Sequence, residues 1–223
     1  MTIPFLCVDD FFSEPDEVRD FALSLDYHPP SNKQNFPGER TLPLHRINKE
    51  FFQLTCRKFL TLLYPNEVGW TCNMMFQKIY PYNYSNPKSL LNTGWPHLDN
   101  DSMCAGVIYL NDNYENTHGT TILSPKEDVS DLKYGTDFSL RNTLYHGGEV
   151  SEDEYSKQLT ALNDRFDETF TIKNKYNRLI AYNRDTWHKE TNFYSDQNFR
   201  LTLVFFFKLI TADSHPLHRM RKI

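Results

Sequence analysis

The spacing of hydrophobic positions changes partway along the chain. In the first part, apolar residues recur at helical intervals. Val18, Phe21, Ala22 and Leu25 fall at i, i+3, i+4 and i+7, one stripe of an amphipathic helix. Ser13, with Asp16 three positions on, predicts its N-terminal cap. A second helix is predicted over about 48–63, with Phe51, Phe52, Phe59, Leu60 and Leu63 on its apolar side. A short strand over residues 3–8 precedes both. From residue 68 the texture becomes that of strands. VGWTCNMMFQKIY (68–80), CAGVIYLN (104–111), TTILS (120–124), NRLIAYN (177–183) and RLTLVFFFKL (200–209) are rich in β-branched and aromatic residues and bounded by turn-formers. YHPPSNKQNFPGERTLPL (27–44) and PYNYSNPKSLLNTG (81–94) read as loops, and NDNYENTHG as a turn. SEDEYSKQLTALNDRF (151–166) reads as a surface helix with a Ser151/Glu154 capping box, its acidic start suited to the helix dipole.

Helices first and strands later give an α+β class, with a sheet that must close on itself or pair with a second one. A β-sandwich or barrel fits. Supporting helices occupy about 1–66, and the β core about 68–124 and 176–210. An insertion of about 125–175 interrupts it. At 223 residues one domain is expected. With 39% hydrophobic and 15% aromatic residues it has ample material for a core.

Composition narrows the partners. A net charge of -5 and the lack of a basic-aromatic stripe argue against nucleic acid. The longest apolar run, LTLVFFF, is too short to span a bilayer, and MTIPFLCVDDFF lacks the basic start of a signal peptide. No membrane association is expected. Cys7, Cys56, Cys72 and Cys104 show no C-x-x-C spacing, so a thiolate zinc site is not expected. They read as reduced thiols of a cytoplasmic protein.

The candidate chemistry begins at GWPHLDND. His97 and Asp99 stand two apart, and on an extended strand they share a face. A lone His-x-Asp carries little weight. A third ligand is offered by His188, which follows the strand LIAYN after a tight polar turn. Two imidazoles and one carboxylate on one face of a metal form the facial triad of non-haem Fe(II) oxygenases. Arg200 opens an otherwise apolar strand, where an unpaired guanidinium is costly. With Thr202 on the same face it offers a fork and a hydroxyl for a buried carboxylate.

Other groups carry bland readings beside functional ones. His118 and His146 read as solvated loop residues. Arg178 opens a strand as Arg200 does, and a structural ion pair is the favoured reading. Asn73 and Gln77 share a strand face that lines a pocket or meets water. FPGER (36–40) forms either a substrate-side loop or a plain turn. A rival triad, His188 and Glu190 with His215 or His218, lacks a following strand that bears an arginine.

In this order His97-x-Asp99, the strand AGVIYLN, the GTT turn at 119–121, His188 and Arg200-x-Thr202 resemble the Fe(II)/2-oxoglutarate-dependent dioxygenases, nearest the prolyl-4-hydroxylase-like branch. VDDFFSEPDEVRDFALSL (8–25), FPGER and KYNRLIAYN also resemble a poorly characterised group of such proteins from bacteria and phages. The resemblance implies a double-stranded β-helix (jelly-roll, cupin-like) core. It implies Fe(II) on His97, Asp99 and His188, and 2-oxoglutarate anchored by Arg200 and Thr202. Tyr109 and Thr120 are further candidates for the cosubstrate pocket. The implied reaction consumes O2 and 2-oxoglutarate, releases succinate and CO2, and hydroxylates a substrate C–H bond. A peptidyl or free amino-acid side chain leads as primary substrate, with a small metabolite next. The setting is cytoplasmic, the host's if a phage encodes the protein. His118-Gly119 stands where the family usually has Gly-Gly, and Arg200 where many prolyl hydroxylases have Lys. Two other readings remain: a cupin-like metal enzyme that does not use 2-oxoglutarate, and a non-catalytic binding or virion-associated module.

Overall fold

In the computed structural model, which describes residues 3–111, 119–134, 138–194 and 199–220, helices and antiparallel strands follow in the expected sequence. They are β1 (Leu6–Val8), α1 (Pro15–Leu23), β2 (Glu39–Arg40), α2 (Leu44–Ile47), α3 (Lys49–Thr61), β3 (Gly69–Ile79), β4 (Cys104–Tyr109), β5 (Gly119–Pro125), α4 (Asp131–Tyr134), α5 (Ser139–Tyr145), α6 (Glu152–Asn163), β6 (Phe166–Lys173), β7 (Leu179–Asn183), β8 (His188–Glu190), β9 (Arg200–Thr211) and α7 (Pro216–Met220). One sheet has the order β1-β7-β4-β9-β3-β2, and a smaller one β6-β5-β8.

Alternation along the central strands decides what each face of the large sheet meets. On β9, Leu201, Leu203, Phe205 and Phe207 pack with Phe52, Cys56, Phe59 and Leu60 of α3 and with Val18 and Ala22 of α1. The intervening Arg200, Thr202, Val204 and Phe206 face inward and line a cavity. Strand β4 splits the same way: Cys104 and Ile108 join the helix-covered layer, and Ala105, Val107 and Tyr109 join the inner one. The inner layer is shared with Ile122 of β5 and Ile172 of β6, so the two sheets face each other. A third apolar cluster covers the outside of the small sheet, where Leu123, Phe166 and Trp187 meet Tyr155, Leu159 and Leu162 of α6.

Four local expectations change. Helix α1 begins at Pro15 with Glu14 as N-cap and no side-chain cap bond, so Ser13 does not cap it. Proline lacks the N–H that a capping hydroxyl would serve, and its fixed φ favours the first helical position. The 27–44 stretch holds β2 within its loop. There Arg40 stands opposite Gln77, and Gly38 turns the chain at φ 70°. A Cβ at Gly38 would lie 2.1 Å from the Lys78 carbonyl oxygen. The 125–175 stretch supplies β6, which pairs with β5 from Gly119↔Lys173 onward. Helix α6 is capped by Ser151 as expected, yet it buries one whole side rather than lying on the surface.

On that buried side the Tyr155 hydroxyl accepts a hydrogen bond from the Trp95 indole at 2.6 Å, with both side chains buried. Tyr155→Phe strands the indole N–H, and about 1–3 kcal/mol of stability should be lost. Urea denaturation checks this: the midpoint should fall at unchanged slope, and an unmoved midpoint would show that the bond carries no net weight.

Candidate metal centre

The segment before His97 pairs with β8. Gly94 donates its N–H to the Glu190 carbonyl at 3.0 Å, and His97 and His188 exchange backbone hydrogen bonds at 2.9 and 3.1 Å. Residues paired in this way put their side chains on the same face. The two rings accordingly stand 4.2 Å apart, centroid to centroid. Asp99 follows His97 on that face, and its Oδ2 lies 3.5 Å from His188 Nε2. The candidate ligand atoms of His97, Asp99 and His188 all fall within 4.8 Å of one another. Among the described residues no other set of three metal-binding side chains comes together.

Each imidazole is oriented by a carbonyl two residues before it. His97 Nδ1 lies 2.7 Å from the Trp95 oxygen, and His188 Nδ1 2.9 Å from the Thr186 oxygen. A carbonyl only accepts, so the proton sits on Nδ1 and Nε2 keeps its lone pair. His188 is 3% exposed. Burial, with the neighbouring His97, lowers its pKa to about 4, against an opposing pull from Asp99. It is therefore neutral at pH 7, the form that ligates metal. The Tyr182 hydroxyl donates to His188 Nε2 at 2.9 Å and stands 3.4 Å from Asp99 Oδ2.

Deeper in the same cavity, Arg200 is 3% exposed and its Nε has no hydrogen-bond partner. None of the ion pairs found among the described residues includes it. Thr202 is buried beside it and opposite Tyr109 on β4. The Tyr109 hydroxyl is hydrogen-bonded to Thr120 Oγ1 at 2.8 Å, and the Arg200 guanidinium carbon lies 5.5 Å from the Tyr109 ring. Tyr109, Thr120, Arg200 and Thr202 thus converge on one spot.

Three groups at the centre were not anticipated. Tyr182 shares the inner face of β7 with Ile180, and the period-2 pattern of LIAYN carried that signal. Arg40 sits within FPGER, where the turn residues masked it. Its guanidinium reaches Gln77 Oε1 at 3.3 Å, and burial lowers its pKa to about 10 against the pull of Asp99 and Glu190. In the sequence Glu190 reads only as a rival ligand. Burial pushes its carboxyl up, but His97, Arg200, its own backbone N–H and His188 outweigh this and leave it below its ordinary value. The rival triad does not assemble: His215 Nδ1 is engaged by the Tyr64 hydroxyl at 2.8 Å. Arg178 is structural, holding Asp9 through Nε at 2.5 Å and Nη2 at 3.1 Å. Gln77 is buried and donates to the Pro37 carbonyl at 2.7 Å, whereas Asn73 faces an outer cavity. His146 is exposed at the end of α5, and His118 lies outside the described residues.

Solved structures share this fold. Over 94% of its length the chain is similar to 86% of a 2OG-Fe(II) oxygenase family oxidoreductase from Burkholderia pseudomallei, at 12% identity and a TM-score of 0.52. It is similar to HygX from Streptomyces hygroscopicus, solved with nickel and 2-oxoglutarate bound, over 92% of this chain and 83% of that one, at 13% identity and a TM-score of 0.54. A Trichoplax adhaerens prolyl hydroxylase, in complex with a hypoxia inducible factor peptide fragment, gives 92% and 84%, 14% identity and a TM-score of 0.50. The protein has the fold of the 2-oxoglutarate and Fe(II) oxygenases. Residues 2–207 match the model of the Family of unknown function (DUF6445), and the chain belongs to that family. No curated protein matches. Among the described residues no helix is long and apolar enough to cross a membrane.

A metal bound at His188 Nε2 would displace the Tyr182 hydrogen bond. Tyr182→Phe should therefore tighten Fe(II) binding by up to about 1 kcal/mol, roughly fivefold. Anaerobic calorimetry reads this, and weaker binding would mean that the hydroxyl supports the ion instead. The His188 shift also sets a pH dependence. Its folded pKa of about 4 lies below the unfolded value of about 6.5, so between the two the unfolded chain binds a proton that the folded chain refuses. Stability from this group is full above the unfolded value and falls as pH drops toward 4, by on the order of 3 kcal/mol. In chelator-treated protein, wild type should lose more stability between pH 7 and 4.5 than His188→Gln. Parallel curves would refute the assignment.

Proposed function

We propose that this protein is an Fe(II)- and 2-oxoglutarate-dependent oxygenase that hydroxylates a substrate C–H bond, built on a double-stranded β-helix core. The observation that carries this reading is a juxtaposition. A two-histidine, one-carboxylate cluster shares a cavity with a buried arginine that enters no ion pair found among the described residues and whose Nε has no hydrogen-bond partner. A metal site alone has no use for that arginine, and a plain scaffold would not leave it unpaired.

The residues fit both groups. Two imidazoles and a carboxylate are the donor set of the facial triad, so His97, Asp99 and His188 would hold the iron. The orphaned Arg200 Nε and the hydroxyls of Thr202, Tyr109 and Thr120 suit the distal carboxylate of 2-oxoglutarate. A fork aimed at two oxygens fixes orientation as well as charge. When bound, iron would activate O2 as the oxidant, with 2-oxoglutarate giving up two electrons on conversion to succinate and CO2 and the substrate C–H bond giving up two more on hydroxylation. The chain supplies position and exclusion of water. Asp99 would offset part of the cation's charge, the Trp95 and Thr186 carbonyls leave the lone pair of each imidazole on Nε2, and Val107, Val204 and Phe206 wall the cavity with apolar surface. HygX, which shares this fold, was solved with nickel and 2-oxoglutarate bound.

Anaerobic titration of the Fe(II)-loaded protein with 2-oxoglutarate should raise a visible charge-transfer band. His97→Ala and His188→Ala should abolish it by losing iron. Arg200→Ala should keep iron but weaken 2-oxoglutarate by about thirtyfold or more, since losing the partner of a buried charge costs about 2 kcal/mol or more. Iron binding without a band would favour a metal enzyme that does not use 2-oxoglutarate. An unchanged affinity in Arg200→Ala would remove the anchor.

A further inference from the structure

Beyond the metal centre the cavity opens into a mouth of about 340 Å³, within the range of small-molecule sites. Phe36 and Arg40 come from the first loop, Trp95 from the segment before His97, Arg141 from α5, and Phe206 from β9. The two arginines have much in common. The Arg40 guanidinium carbon lies 4.1 Å from the Phe36 ring centroid and 5.5 Å from that of Phe206. Arg141 lies 4.2 Å from the Phe138 ring. Both Nε atoms are buried without a hydrogen-bond partner, and neither residue enters an ion pair found among the described residues. Two arginines outside the cavity show the contrast: Arg165 is matched by Glu127 and Asp131, and Arg178 by Asp9. Stacking on aromatic faces fixes the plane of a guanidinium while leaving its N–H edge free to recognise an anion.

The charges around the cavity do not cancel. Arg40, Arg141, Arg200 and Lys208 face Asp99, Asp101 and Glu190, four cations against three carboxylates. Lys208 is taken by Asp101. A divalent iron and a dianionic 2-oxoglutarate would offset each other, so one positive charge remains in excess over the cavity as a whole. Desolvated charge of that kind is costly until it is matched.

We propose that the primary substrate is a small molecule bearing a carboxylate, which Arg40 and Arg141 bind at the mouth of the site. The proposal rests on the oxygenase reading for what becomes of that substrate, and on the two arginines for its charge. A single excess charge suits a monoanion better than a phosphate dianion. The volume suits a free acid, with Phe36, Trp95 and Phe206 as the apolar surface for its body.

The test titrates protein loaded anaerobically with Fe(II) and 2-oxoglutarate with a panel of probes. These are the common L-amino acids, straight-chain C4–C8 acids, the carboxamide of each, and an Asp/Glu-rich hexapeptide. Calorimetry and displacement of the charge-transfer band are the readouts. At least one acid should bind, its amide about tenfold or more weaker, and Arg141→Gln should weaken the acid by about the same factor. Arg141→Lys should recover part of that loss. The 2-oxoglutarate titration of each variant serves as the control for intact folding. Acid and amide binding alike, no acid binding, an Arg141→Gln variant indistinguishable from wild type, or binding of the peptide alone would each overturn the proposal. If wild type gives no charge-transfer band, the oxygenase reading fails instead. Calorimetric binding of an acid that still depends on Arg141 would then uphold the anion site by itself.

Discussion

His97 and His188 are far apart in sequence, yet they exchange both of their backbone hydrogen bonds. Such a pair cannot slip by one residue without putting the two imidazoles on opposite faces. The register therefore holds the two rings together before any ligand contributes. A second constraint acts on each ring separately. The carbonyl two residues upstream accepts a hydrogen bond from Nδ1–H and so leaves the lone pair on Nε2. Backbone groups thus determine both the position and the tautomer of the imidazoles, and Asp99 inherits its place from the strand geometry of His97.

The large sheet gives this pair its surroundings. Strand β9 reads as an almost unbroken apolar run, yet it serves two environments. Leu201, Leu203, Phe205 and Phe207 anchor α1 and α3, and the residues between them line the cavity. The phenylalanine layer fixes the strand, and so fixes where the Arg200 fork points. Burying a guanidinium this way costs stability unless a partner appears. A rigid apolar layer behind it is what keeps the arginine from swinging out to water.

Much of this was legible in the sequence, for physical reasons. The triad, Arg200 and Thr202 lie at or beside strong strand signals, where period-2 alternation fixes the face a side chain takes. The helices at 15–23 and 49–61 followed from their apolar stripes. What escaped depends on tertiary context. Strand β2 is two residues long and exists only because β3 offers an edge to pair with, so Arg40 looked like part of a turn. Strand β6 is exposed from Asp167 to Thr171, and Glu168 breaks its period-2 apolar pattern, so it read as part of an insertion. Proline at 15 overrode the capping pattern of Ser13. Tyr182 was hidden differently: its strand was foreseen, but tyrosine is as common in cores as in sites, and only the cavity distinguishes the two.

The 125–175 stretch is more closely tied to the centre than its surface-helix composition suggests. Tyr155 of α6 holds the Trp95 indole, and the Trp95 carbonyl holds the His97 ring. One residue thus joins the outer helical layer to a candidate metal ligand, through its side chain on one side and its backbone on the other. Arg141 and Tyr145 of α5 line the mouth from the same layer. A displacement of these helices would act on the cavity wall and on the orientation of His97 together. The loops that border a site normally vary without disturbing its chemistry. Here the Trp95 link means that the layer which shapes the mouth also bears on the histidine beneath it.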